Sequence, residues 1–107
     1  MAANIVMAMY RPKEGKSDAV RALIDEHYPV LQSQNMVTDR RPLVLRSADG
    51  TFIEIFEWIS DAVVGEAHNN AAVREIWGRF EEVCDYGELK QMPESDGVFP
   101  HFELIAG

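Results

Sequence analysis

The central segment of the chain carries a carboxylate in an apolar setting. Glu54 alternates with Phe52, Phe56 and Trp58 in the run TFIEIFEWI, a pattern that predicts a strand with these four side chains on one face. A carboxylate on an apolar face is desolvated, which disfavours its charged form unless a cation or hydrogen-bond donors meet it. Glu54 is therefore a candidate general base for abstracting a phenolic or α-keto proton.

A structural role for Glu54 is the alternative. Its carboxylate could pair with Arg41, accept a hydrogen bond from Tyr10 or cross a subunit interface. Phe56 and Trp58, its neighbours on the strand, could pack the ring of a substrate. Aromatic side chains in such positions also form ordinary core, so both roles stay open.

Three histidines extend the set of titratable groups, because imidazole titrates nearest to neutral pH. His68 is a candidate acid or base, or else a residue at a helix end that bonds the last carbonyls. His27 lies on the apolar stripe of a helix, where it belongs either to a pocket edge or to the core. Tyr10 and His101 lie on the first and last predicted strands, and either could project into a cavity shared with Glu54.

The sequence predicts no cofactor. The histidines show no HxH, HxxxH or HExxH spacing, and there is no CxxC pair or glycine-rich phosphate loop. We therefore expect no metal site. The one cysteine, Cys84, cannot form an internal disulfide, and its place on a helical stripe is typical of an inert buried thiol.

The composition limits the kinds of partner. The chain has 107 residues, 47% of them hydrophobic and 26% charged, which is typical of one globular domain over residues 1–107. A net charge of -8 argues against nucleic acid or an anionic membrane as a partner. The first residues, MAANIVMAMYRP, lack the pattern of a signal peptide, so the cytoplasm is the expected compartment.

Strands and helices alternate along the chain in an order that can be read from hydrophobic spacing. NIVMAMY and FPHFELI are typical of the first and last strands, with PLVLRS and TFIEIFEWI as a hairpin between them. A first helix carries apolar residues from Val20 to Leu31, with a break or kink expected at Pro29. A second helical region begins at Ser60 and is interrupted at Asn69-Asn70, which can cap a further segment.

The hairpin turn decides which side chains share a face. Asp49-Gly50 favours a two-residue turn, because both central residues of a type I′ turn need positive φ. Leu45 then lies opposite Glu54. A three-residue loop would shift this pairing by one residue.

The order of elements predicts an α+β fold of the ferredoxin-like βαββαβ type. Such a fold has a four-stranded antiparallel sheet with both helices on one face, and residues 85–98 then form an irregular connection. The uncovered face is expected to include several of Phe52, Phe56 and Trp58, an apolar patch too large for a monomer. A second copy related by a two-fold axis is the expected cover.

The segment FIEIFEWIS, followed by DAVVGEAH and preceded by YRPKEGKSDAVRALIDEH, resembles the dimeric α/β-barrel superfamily. Within it the chain is similar to the antibiotic biosynthesis monooxygenase-like group, whose third strand ends in Trp and Ser before a His on the next helix. Trp58, Ser60 and His68 are the matching positions. The DGTFIEIFEW hairpin, AHNNAAVREIW and RFEEVCDY are also similar to a group of small bacterial proteins with no assigned activity.

The resemblance implies a homodimer whose two sheets face each other, with a small pocket between the sheet and the helices of each subunit. Some members oxygenate aromatic compounds without metal or flavin. Glu54 or His68 would then remove a proton from a small aromatic or enolisable substrate, Trp58 with Phe56 would pack its ring, and oxygen would react with the resulting carbanion. A homodimer that binds a ligand or serves a structural role without catalysis is the alternative.

Overall fold

The protein forms one antiparallel sheet with helices packed against it. The computed structural model describes residues 3–107. The strands are β1 (Asn4–Pro12), β2 (Leu43–Arg46), β3 (Phe52–Trp58), β4 (Cys84–Tyr86) and β5 (Glu103–Ala106). The helices are α1 (Ser17–Ser33), α2 (Asp61–Ala67) and α3 (Ala71–Val83), and two short 3-10 turns follow β4. This is an α+β fold, as the order of elements predicts.

The sheet has five strands in the order β4-β1-β3-β2-β5, not the expected four. The strand that the sequence did not predict is β4, which leaves α3 directly and pairs with the end of β1. The connection expected over residues 85–98 therefore starts inside a strand, whose three residues are too few to show a hydrophobic period. The predicted last strand is β5, which pairs with β2 at the opposite edge.

The hairpin between β2 and β3 has the longer of the two possible loops. The Ser47 amide donates to the Thr51 carbonyl at 2.8 Å, which leaves three residues in the loop between them. Val44, rather than Leu45, therefore lies opposite Glu54. The one-residue shift exchanges the β2 side chains that face the two sides of the sheet.

The aromatic face of β3 lies under the helices, which corrects the prediction that it is uncovered. Phe52 packs in a core cluster with residues of α1 and α3, and Phe56 and Trp58 pack in a second cluster with residues of α2. None of the three is more than 5% exposed. Both faces of β3 are apolar in sequence, so alternation separated the two faces without showing which one the helices cover.

The helices follow their sequence signals, and α1 is not broken at Pro29. The helix α1 continues through Pro29 to Ser33, so the chain does not leave the helix there. Leu31, beyond the proline, is fully buried, and its burial offsets the backbone hydrogen bond that proline removes. The side chains of Ser60 and Asn70 cap α2 and α3, which confirms the predicted division. Within residues 3–107, no helix combines the length and the apolar composition needed to cross a membrane.

The face of the sheet opposite the helices carries exposed apolar side chains. By the strand register it includes Ile5, Met7, Leu43 and Leu104, which are 55%, 39%, 38% and 60% exposed. The chain after β4 covers the hairpin end of this face, where Ser47 Oγ donates to Glu94 Oε1 at 2.7 Å. The four exposed side chains form what we call the helix-free apolar face.

Candidate functional site

A pocket of about 370 Å³ lies between the helices and the β1 side of the sheet. We call it the aromatic pocket. Its walls are Val6, Ala8, Tyr10, His27, Phe56, Trp58, His68, Trp77, Glu81 and Tyr86. This volume lies at the lower end of the range for small-molecule sites, and the walls are mostly aromatic and aliphatic. The arrangement suits a small, flat, largely apolar ligand.

A buried hydrogen-bonded carboxylate lies behind one wall of the aromatic pocket. Tyr10 Oη donates to Glu54 Oε1 at 2.7 Å, and His27 Nδ1 lies 2.8 Å from the same oxygen. Glu54 is 1% exposed and His27 is 2% exposed. Both distances fall in the range of hydrogen bonds to a charged acceptor. Of the structural partners considered for Glu54, Tyr10 is therefore the one that the fold supplies.

The indole of Trp77 determines the hydrogen-bonding form of His27. Trp77 Nε1 lies 3.0 Å from His27 Nε2, and an indole nitrogen can only donate. His27 Nε2 must then accept, which assigns the ring proton to Nδ1 and directs it at Glu54. Glu54 Oε1 thus accepts two hydrogen bonds, as a carboxylate oxygen can. Trp77, His27, Glu54 and Tyr10 form one continuous chain of hydrogen bonds across the core.

Aromatic packing holds this chain of hydrogen bonds in place. The Tyr10 ring stacks on Phe80 with centroids 4.5 Å apart and an interplanar angle of 13°. The His27 ring meets Phe56 and Phe80 edge to face, at 5.5 Å and 5.4 Å between centroids. Such pairs add to stability beyond their burial, and they restrict the rotation of both polar rings. The polar groups are therefore positioned before any ligand arrives.

Burial keeps Tyr10 in its phenol form. Desolvation raises the pKa of Tyr10 well above its ordinary value of 10.0, and the neighbouring Glu54 carboxylate raises it further. Tyr10 is therefore a hydrogen-bond donor to Glu54 throughout the physiological pH range. A phenol of this kind fixes a carboxylate rather than acting as a base.

His68 stands at the edge of the aromatic pocket with its imidazole exposed. It follows the last residue of α2, and its ring meets Trp77 edge to face at 5.1 Å between centroids. Among the described residues, its ring nitrogens form no hydrogen bond to another side chain or to the backbone. His68 can therefore exchange a proton with a ligand in the pocket without breaking the buried network.

A second cavity of about 290 Å³ lies on the other side of Glu54. It is lined by Ile24, Asp25, Tyr28, Pro29, Arg41, Pro42, Val44, Glu54, Ala106 and Gly107. It shares no lining residue with the aromatic pocket. Glu54 lines the second cavity but not the aromatic pocket, whereas Tyr10 and His27 line the aromatic pocket but not the second cavity. The carboxylate and its two donors therefore separate the cavities.

The fold gathers most of the residues expected at a site and leaves two apart. Tyr10, His27, Phe56, Trp58 and His68 line one pocket. Glu54 lies behind that pocket and reaches it only through its donors. His101 is exposed before β5 and lines neither cavity.

Trp77 and Tyr86 are wall residues that the sequence pattern did not single out. Trp77 lies on the α3 stripe, where an aromatic residue is usually core, and Tyr86 lies in a segment that reads as a loop. The available signal for Trp77 was chemical: a donor-only side chain on one helix stripe needs an acceptor, and the stripe of α1 carries His27.

The Cys84 thiol does not line the aromatic pocket. The Cys84 thiol is buried and bonds the Phe80 carbonyl, and burial raises its pKa to about 11. The thiolate, the reactive form, is therefore scarce at neutral pH. No cluster of three or more metal-binding side chains occurs within residues 3–107.

Comparisons of the chain with protein-family models, with curated proteins and with solved structures found no match. The architecture and the two cavities are therefore the grounds on which a function can be proposed.

Proposed function

We propose that the chain adopts the ferredoxin-like arrangement of the dimeric α/β-barrel superfamily and resembles the antibiotic biosynthesis monooxygenase-like group within it. The four neighbouring strands β4-β1-β3-β2 are all antiparallel, and α1 and the α2-α3 pair follow β1 and β3. That sequence of strands and helices supports the ferredoxin-like type. The strand β5 is an addition at the β2 edge.

The proposed activity is cofactor-independent oxygenation of a small aromatic or enolisable molecule in the aromatic pocket. The observation that carries it is an apolar pocket of about 370 Å³ with an exposed imidazole at its edge and a hydrogen-bonded carboxylate behind its wall. Apolar walls hold a ring, and an imidazole near neutral pH removes its acidic proton. We assign these roles to the walls, Phe56 and Trp58 above all, and to His68.

The reaction can be written with its protons and electrons in balance. His68 takes the phenolic proton, and the phenolate donates an electron pair from a ring carbon to dioxygen, forming a C–O bond. The proton held by His68 then returns to the outer peroxide oxygen. Loss of the ring C–H proton together with that hydroxide, as water, leaves a quinone, so dioxygen is reduced and the ring is oxidised. General-base removal of the first proton accounts for a factor of about 10² to 10⁴ in rate.

The helix-free apolar face supports a homodimer. Ile5, Met7, Leu43 and Leu104 are exposed on one side of the sheet, and an apolar patch of this kind marks an interaction surface. A two-fold pairing of identical patches buries both at once. Light scattering is then expected to give about twice the chain mass of 12.1 kDa.

Charge placed on that face tests the dimer. Met7→Lys is expected to give a folded monomer, since a lysine there cannot be desolvated cheaply. Ala22→Lys, on the exposed side of α1, is the matched control and leaves the mass unchanged. A wild-type mass near 12.1 kDa at micromolar concentration would overturn the homodimer.

A second candidate is ligand binding without catalysis, and one contact favours it. Trp77 already donates to His27 Nε2 at 3.0 Å, so the buried histidine has no nitrogen free for a substrate. The chemistry then depends on His68 alone, without a partner to orient it. A non-catalytic homodimer would keep the same pocket and the same buried network.

Thermal shift and oxygen consumption separate the two candidates. Naphthols and naphthoquinones are screened against wild type, His68→Asn and Ala8→Leu, the last of which fills the aromatic pocket. For the enzyme, we expect a shift lost in Ala8→Leu, and oxygen uptake lost in His68→Asn while binding persists. Binding without oxygen uptake in wild type supports the second candidate. A thermal shift that persists in Ala8→Leu means that the ligand binds outside the aromatic pocket, and this outcome would overturn both candidate functions.

A further inference from the structure

The second cavity has features that neither the oxygenase nor the simple binding proposal uses. It lies between α1 and the β2-β5 edge of the sheet, and half of its lining residues have aliphatic or proline side chains. Its volume of about 290 Å³ is close to the smallest volumes seen for ligand sites. Only Glu54 among its walls is a deeply buried ionisable group, at 1% exposed.

One oxygen of Glu54 faces this cavity without a protein partner. Tyr10 and His27 both bond Oε1, and no side chain or amide of the described residues bonds Oε2. Within residues 3–107, every side-chain oxygen or nitrogen atom that is completely buried has a hydrogen-bond partner. Oε2 must therefore be reachable, and of the two cavities the second is the one that Glu54 lines.

The charge of this carboxylate is not matched by a protein cation. No Lys or Arg of the described chain forms an ion pair with Glu54. Tyr10 and His27, as assigned by their hydrogen bonds, are neutral donors. Among the charged side chains of its walls, Asp25 and Arg41 have opposite signs, so Glu54 leaves these side chains with a net negative charge. An unmatched buried charge favours a cation that can also donate a hydrogen bond.

We propose that the second cavity binds a small alkylammonium group, with the ammonium on Glu54 Oε2 and the alkyl part against Ile24, Val44 and Ala106. The site is independent of the proposed reaction, because the two cavities share no wall. It is nevertheless coupled to the aromatic pocket through the same carboxylate: Tyr10 and His27, which line that pocket, hold its other oxygen.

Methyl signals of two alanines report on the cavities separately. Ala106 lines only the second cavity and Ala8 lines only the aromatic pocket. Isobutylammonium added to wild type carrying labelled alanine methyls is expected to shift the Ala106 signal in a saturable way and to leave Ala8 nearly unchanged. Isobutanol, which has the same shape without the charge, is expected to bind about tenfold to a hundredfold more weakly, the value of a hydrogen bond to a charged group.

Three variants complete the test by calorimetry with the same probe. Ala106→Leu, which fills the second cavity, and Glu54→Gln, which removes its charge, should each weaken isobutylammonium at least about tenfold. Ala8→Leu should bind it as wild type does. Equal binding of isobutanol, a shift at Ala8 rather than Ala106, or no saturable binding overturns the proposal. None of these outcomes bears on naphthol binding, which Ala8→Leu tests on its own.

Discussion

Replacing Tyr10 with Phe removes one hydroxyl from the buried network and little else. The Tyr10 ring stacks on Phe80 at 4.5 Å, and phenylalanine keeps that contact. The lost hydrogen bond of 2.7 Å ended on a carboxylate that is 1% exposed. A hydrogen bond to a charged group contributes about 1.5 to 3 kcal/mol, so we expect Tyr10→Phe to lower the free energy of unfolding by about that amount at pH 7.

The same substitution has a pH signature. The pKa of Tyr10 is raised by burial well above 10.0, so the folded protein holds the phenolic proton more tightly than the unfolded chain does. The stability that this contributes is complete below pH 10 and is lost as pH rises from 10 toward the folded pKa, by up to about 1.4 kcal/mol per pH unit. The Tyr10→Phe variant has no phenol at this position and therefore does not lose this stability above pH 10. The difference between the two proteins should therefore shrink above pH 10.

Urea unfolding at pH 7 and in steps from about pH 9 to 11.5 measures both effects. Cys84 and Tyr86, whose pKa values burial raises to about 11 and about 12, are present in both proteins and cancel in the difference. A cost at pH 7 below about 0.5 kcal/mol would mean that the bond to Glu54 contributes no more than an exposed contact. A difference that stays constant with pH would refute the assignment of the protonated Tyr10 donor.

Three further changes follow from single contacts. Asn70→Ala removes the side-chain cap of α3 and should cost about 1 kcal/mol by urea unfolding, whereas Asn69→Ala, beside it, should cost much less; equal costs would contradict the cap. Trp77→Phe removes the donor to His27 Nε2 and leaves Glu54 as the acceptor on Nδ1, so ¹⁵N NMR should keep the Nδ1–H tautomer while the Nε2 signal shifts; an Nε2 signal that does not move would contradict the bond from Trp77. Cys84 should react with a thiol reagent at pH 8 only as fast as the protein opens, and fast labelling of native protein would contradict its burial.

Local signals in the sequence predicted the elements well. Ser60 and Asn70 cap helices where their side chains predict caps, and the strand-like runs of β2 and β3 form the expected hairpin. These features depend on residues a few positions apart, so they can be read from a short window. The α+β class follows from their order. The sequence also placed Glu54 among the aromatic residues of one strand face.

The predictions that were wrong share one cause, which is how the strands pair across the sheet. A loop of three residues in place of two moved Val44 opposite Glu54, and a three-residue strand at Cys84 added a fifth member to the sheet. Side chains alternate with a period of two, so one residue of slip exchanges the faces of a strand. The amphipathic pattern of β3 did not show which apolar face the helices would choose.

By itself, the sequence determined the helices, the hairpin and an unusual carboxylate that would need donors. Only the tertiary structure decided that those donors are Tyr10 and His27, 44 and 27 positions away along the chain, and that Trp77 orients the histidine. It also decided that Glu54 lies between two cavities. The reason is physical: hydrogen bonds and cavities depend on the register of β1, β2 and β3 and on how α1 and α3 pack over them. These are long-range relations that no local pattern of residues encodes.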